Sequence, residues 1–175
     1  MSSGINALLA SSGVPTDERP VELLPKGARL VYLHAGNLYV SRESSQVVTI
    51  LGSCVAVCLW DRLTRVGGIN HYMLPNDIGV QVASPRFANF AMTELIRQVL
   101  TLGAETRRLE AKIFGGACVL GTSPIGHDLG SKNVDAARER LSQERIKIVG
   151  EDVGGKRGRK LIFRTWDGSA LVKQV

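Results

Sequence analysis

The chain has 175 residues, a formal net charge of +6, 44% hydrophobic residues and 5% aromatic residues. That length suits one domain with an aliphatic core. It contains no apolar run of the roughly 18–20 residues needed to span a bilayer. Met1–Ala10 lacks a basic stretch followed by a long apolar one, so it does not read as a signal peptide. A cytoplasmic protein without membrane insertion is expected, and three cysteines, too few for a disulfide framework, agree with a reducing compartment.

In chain order, residues 1–25 are rich in Ser, Gly, Pro and acidic groups and read as a flexible arm. Residues 26–175 read as one catalytic domain. Strands are predicted at Arg29–Leu33, Asn37–Val40 and Val47–Ile50. Gly52-Ser53 makes a small-residue turn ahead of Val55–Trp60, which is apolar on both faces and so predicts a central strand. Val66–Met73 is its expected partner, ended by Pro75, with a polar loop over Asn76–Ala83. Ser84-Pro85 predicts a helix start, and Gly103 its end. Lys112–Phe114 reads as a strand, Asn133 as the cap of a second helix, and 146–149, 160–165 and 170–172 as final strands. Gly154–Gly158 reads as a hairpin turn. The order predicts an α/β (α+β) sandwich, with largely antiparallel mixed sheet layers covered by two main helices.

The chemistry concentrates in Cys54 and His71. A hairpin with its tip at Asp61–Thr64 pairs Trp60 with Arg65, Leu59 with Val66 and Cys54 with His71. Directly opposed residues share a face at roughly 4.5–5.5 Å between Cβ atoms. At that distance an imidazole can take the thiol proton, and the thiolate is the nucleophile. The amides of Ser53 and Cys54 in the tight turn are candidates for an oxyanion site. Thr49 offers a hydroxyl as a third group, although a β-branched strand residue is its ordinary role. Asn70 points to the face opposite His71 in a regular strand. Cys58, inside an apolar strand, reads as a small buried hydrophobe. His34 and His127 have no comparable partner, and His127 reads as part of a Gly-rich loop.

Cys54-x3-Cys58 lacks zinc spacing and no HExxH occurs, so neither metal nor cofactor is expected. The basic residues are scattered and few aromatics are available to stack on bases, which argues against nucleic acid and suits an acidic protein partner.

Thr49–Cys58, Gly67–Pro75, Lys112–Ala117, Gly130–Asn133, Asp152–Gly155 and Gly158–Lys160 occur in the order and form that resemble the chemoreceptor glutamine deamidase CheD family. The resemblance covers about residues 28–173 and departs at Cys118-Val119. It implies an α/β sandwich and hydrolysis of glutamine side chains on methyl-accepting chemotaxis receptors. Cys54 would be the nucleophile, His71 the base and Thr49 the third catalytic residue. A glutamate methyl ester would react by the same route. The resemblance also implies a CheC-type phosphatase as a partner in organisms that have one. Two other readings of the residues stay open: another cysteine hydrolase or acyltransferase, and a non-catalytic binding module.

Overall fold

Alternating burial organises the first layer. In β3 (Ser45–Leu51), Val47, Thr49 and Leu51 are buried while Ile50 is exposed. This strand sits inside a four-stranded sheet with β1 (Arg29–Tyr32), β8 (Arg159–Arg164) and β9 (Ala170–Gln174), ordered β1-β3-β8-β9. β1 runs parallel to β3, and the other pairings are antiparallel. The second sheet has five strands ordered β2-β5-β4-β6-β7: β2 (Asn37–Ser41), β4 (Val55–Asp61), β5 (Val66–His71), β6 (Leu109–Gly115) and β7 (Lys147–Val153). Only β6 and β7 are parallel in it. The computed structural model describes residues 24–75, 83–118 and 124–175, with side chains in the last segment from residue 129. Most of the expected arm, and 76–82 of the expected polar loop, lie outside the described residues.

β4 is the middle of the second sheet and is buried on both sides, as its uninterrupted apolar run predicts. Ala56 and Cys58 face the first sheet, where they meet Leu51, Leu161 and Phe163. Val55, Val57 and Leu59 face the helices, where they meet Met92, Leu95, Ala137 and Leu141. Helix α1 (Ala88–Thr101) and helix α2 (Pro124–Gln143) both pack on the five-stranded sheet. The predicted α+β sandwich therefore forms as three layers: sheet, sheet, helices.

Five local expectations are corrected. The hairpin pairs Trp60 with Gly67 and Leu59 with Gly68, not with Arg65 and Val66. Its tip is Arg62–Arg65, closed by an Arg65 N–H bond to the Asp61 carbonyl at 2.8 Å with Arg65 at φ 55°. The buried Asp61 side chain accepts the Leu63 amide at 2.9 Å, so it holds the turn from outside the tip. The same carboxylate receives the Arg108 fork, including 2.8 Å from Nη2. Burial works against its charge, yet these donors hold it at a pKa of about 2. α1 starts at Ala88 rather than at Ser84-Pro85, because the preceding residues are drawn into strand-like pairing. The Met73 and Leu74 amides both bond the Arg86 carbonyl, and Phe87 bridges Leu74. α2 starts at Pro124, so Asn133 lies within the helix and does not cap it, and His127 falls in α2 and not in a loop. Gly154–Gly158 joins β7 to β8 across the two sheets and is no hairpin.

Candidate active site

The chain crosses from the first sheet to the second at Gly52-Ser53-Cys54, between β3 and β4. All three carbonyls of this crossing are held. Ala117 N–H donates to Gly52 O at 2.8 Å and Gly116 N–H to Cys54 O at 2.8 Å. Asn133 Nδ2 donates to Ser53 O at 2.9 Å. Among the described residues, the Ser53 and Cys54 amides donate to no other residue's carbonyl or side chain. A turn with its carbonyls tied back and its Ser53 and Cys54 amides bonded to no other residue can receive a negative oxygen.

Close backbone approach makes this crossing possible. A Cβ on Gly115 would overlap the Cys54 carbonyl oxygen, and Gly115 also has φ 109°. Gly116 and Gly130 meet backbone to backbone, which brings α2 against the turn. Beneath them the buried Arg159 guanidinium donates to Gly115 O at 2.5 Å and Gly154 O at 2.7 Å. It also pairs with Asp152 at 3.3 Å.

His71 ends β5 and faces the gap between the sheets. Thr49, facing it from β3, meets it across the gap: Thr49 Oγ1 lies 2.8 Å from His71 Nδ1 and 2.7 Å from Leu33 O. The Leu33 carbonyl can only accept, so the single hydroxyl proton goes to it. Thr49 must then accept from His71, which puts the imidazole proton on Nδ1 and leaves Nε2 with its lone pair. Burial, with His34 nearby, lowers the His71 pKa to about 4, so the ring is neutral at neutral pH. An imidazole in this state is a base at Nε2.

The corrected register moves Cys54 relative to His71. With Val55 bridged to Tyr72, Ala56 and not Cys54 falls opposite His71. The difference is two residues, so Cys54 and His71 keep the same face of the sheet but are staggered along it. Among the described residues no hydrogen bond joins thiol to imidazole. Cys54 opens onto a hollow of ≈ 460 Å³ with Met73, Leu74, Arg86, Phe87 and Leu129. His71 and Thr49 border a neighbouring hollow of ≈ 370 Å³ with His34 and Lys160. Burial pushes the Cys54 thiol up, while its own backbone amide pulls the other way. Cys58 is fully enclosed and its thiol is pushed up strongly, again by burial, which fits a core residue. Asn70 turns to the helix side as expected. Its Oδ1 accepts the Val57 amide at 2.9 Å, so a side chain takes the place of a ladder bond there.

Asn133 and the Leu33 carbonyl carry no local signal of a role at the site. The recurrence of Gly115-Gly116 and Gly130 points to close packing near Cys54 only once the fold brings them together.

Among the described residues no group of three or more His, Cys, Asp or Glu could hold a metal ion, and no helix is long and apolar enough to cross a membrane. Fold and site define an α+β sandwich protein with a constrained cysteine turn beside a Thr–His pair at the sheet gap. A family model described as CheD chemotactic sensory transduction matches residues 73–174. The chain is 47% identical over 149 residues to a protein of Anaeromyxobacter dehalogenans named "Probable chemoreceptor glutamine deamidase CheD 1", covering 85% of this chain and 86% of that one. It is 43% identical over 144 residues to "Probable chemoreceptor glutamine deamidase CheD" of Trichlorobacter lovleyi, covering 82% and 89%. A protein of the same name from Sulfurimonas denitrificans is 41% identical over 145 residues, covering 82% and 93%. The chain belongs to the CheD family of chemotaxis proteins.

Proposed function

We propose that this protein deamidates glutamine side chains on methyl-accepting chemotaxis receptors, through a thioester on Cys54. The observation that carries the proposal is the Leu33–Thr49–His71 chain of hydrogen bonds, which leaves Nε2 as a base on the face shared with Cys54. The names of the relatives supply the substrate class.

His71 Nε2 takes the Cys54 proton, and the thiolate attacks the amide carbon of the substrate glutamine. The oxygen becomes an oxyanion facing the Ser53 and Cys54 amides. The C–N bond breaks as His71 returns its proton to the leaving ammonia, and a thioester remains. Water, deprotonated by His71, adds to the thioester carbon. The C–S bond then breaks, giving glutamate and a Cys54 thiolate that recovers the proton from His71. A glutamate methyl ester follows the same path with methanol leaving. The stagger between Cys54 and His71 requires the pair to close when substrate enters, as catalytic hydrogen bonds commonly tighten only in the bound complex.

The test is incubation with a receptor cytoplasmic fragment, followed by peptide mass analysis and ammonia assay. Conversion of specific glutamines to glutamate by the native protein, and none by Cys54→Ala, is expected. Full conversion by Cys54→Ala rules out the cysteine mechanism.

A further inference from the structure

We infer that Asn133 is a positioning residue of this site, whose carboxamide sets the separation of the Cys54 and His71 segments. The inference rests on the Cys54 mechanism proposed above. Asn133 lies in α2 and is fully buried. Its Nδ2 donates one hydrogen to Ser53 O at 2.9 Å and the other to Met73 O at 2.9 Å. Both partners are carbonyls that can only accept, so the orientation of the amide is forced. Ser53 directly precedes Cys54, and Met73 follows His71 by two residues. One planar NH2 group, with a fixed angle between its two N–H bonds, thus spans the two segments that bring thiol and imidazole to the site.

The backbone of the same residue strengthens the link. The Asn133 carbonyl accepts the hydroxyl of Tyr72, a fully buried residue next to His71. Tyr72 in turn exchanges backbone bonds with Val55, next to Cys54, at 3.0 and 3.1 Å. Asn133 therefore bonds the neighbours of both reacting residues, and among the described residues it makes no hydrogen bond to the thiol or the imidazole. Its Oδ1 is buried and has no partner among the described residues. The stagger between Cys54 and His71 makes this separation critical, because a small misplacement of reacting groups is expensive in rate.

The experiment compares native protein with Asn133→Ala, Asn133→Asp, Leu141→Ala and Cys54→Ala. Leu141 is a fully buried α2 residue in the helix-side core, and its truncation reports loss of packing alone. Three quantities are read: thermal unfolding, kcat and KM on a receptor fragment, and the pH profile of Cys54 alkylation by iodoacetamide. Alkylation needs no receptor. The Asn133 variants are expected to lose roughly 10- to 100-fold in kcat with KM little changed, and to alkylate with a displaced pH profile. Leu141→Ala is expected to melt earlier while keeping both properties below its transition. If Asn133→Ala does not fold, Asn133→Asp, which keeps the shape and loses the double donor, carries the comparison. Asn133 variants with native kcat and native alkylation, alongside an inactive Cys54→Ala, overturn this inference alone. A fully active Cys54→Ala overturns the mechanism and the inference with it.

Discussion

At the scale of the residue, the site depends on where one proton sits. Thr49 has a single hydroxyl hydrogen and two neighbours that want it, and the Leu33 carbonyl cannot give one back. Thr49→Ser keeps this logic and is expected to retain most activity. Thr49→Val keeps the shape, removes the acceptor for His71 Nδ1–H and leaves the Leu33 carbonyl without its donor. Its kcat is expected to fall by about 100-fold, the scale of general acid–base catalysis, in a steady-state ammonia assay. Equal rates for the two variants would remove Thr49 from the mechanism. Cys54 and His71 are legible as candidates in the sequence, because thiol and imidazole flank one short apolar hairpin, whereas Thr49 reads there as an ordinary strand residue and is singled out only by the family resemblance. Asn133 is not legible there, since it looks like a helix cap and becomes a bridge only when α2 reaches back over the turn.

His71 also links the site to stability. Its folded pKa of about 4 lies below the ordinary value near 6.5, so the unfolded chain binds the proton more readily. Stability from keeping this ring neutral is therefore complete above about pH 6.5, and is lost as pH falls toward 4. The unfolding midpoint should drop between pH 6.5 and pH 4, and His71→Gln should flatten that slope. An identical slope in the variant would show that the lowered pKa is not felt by the fold.

At the scale of the element, strand existence was legible and register was not. The double-sided burial of β4 follows directly from its side chains, whereas β3 buries the polar Ser45 and Thr49 and exposes Ile50, which side-chain polarity does not foretell. The register differs because Asp61 pairs with Val66 inside the ladder and caps the turn from there, which moves the four-residue tip one position along the chain and shifts the pairing by two. A shift of two preserves the face, so Cys54 and His71 stay on the same side of the sheet. Neither helix starts at its local signal: bridging of 86–88 to 73–74 delays α1, and α2 begins at Pro124, well ahead of Asn133. The glycines next to the turn make a sharper claim. Gly115→Ala should strongly lower the melting temperature and disturb Cys54 reactivity, because its Cβ has no room beside the Cys54 carbonyl. Gly150→Ala in β7 meets only the Lys112 side chain at 3.6 Å and should melt like the native protein. Differential scanning calorimetry of the two variants decides it, and equal melting would refute the close-approach argument.

At the scale of the molecule, the helices cover one sheet and the gap between the sheets hosts the site. Thr49 comes from one layer and His71 from the other, and the Gly52–Cys54 crossing joins them. Such a site is assembled only by the complete sandwich, which explains why residues far apart in the chain are needed to hold it. Every candidate residue of the site lies beyond residue 25 in the sequence. A chain starting at Lys26 is expected to fold and to turn over receptor fragments at the native rate; a folded but inactive truncation would make the arm part of the substrate site.

The central claim is a covalent intermediate on Cys54. Acid quenching during turnover of a receptor fragment, followed by mass analysis of the peptide containing Cys54, tests it directly. The account predicts a receptor-derived acyl group in thioester linkage on Cys54, present during turnover and lost as glutamate accumulates. Steady deamidation with Cys54 never acylated, and undiminished in Cys54→Ala, would contradict it.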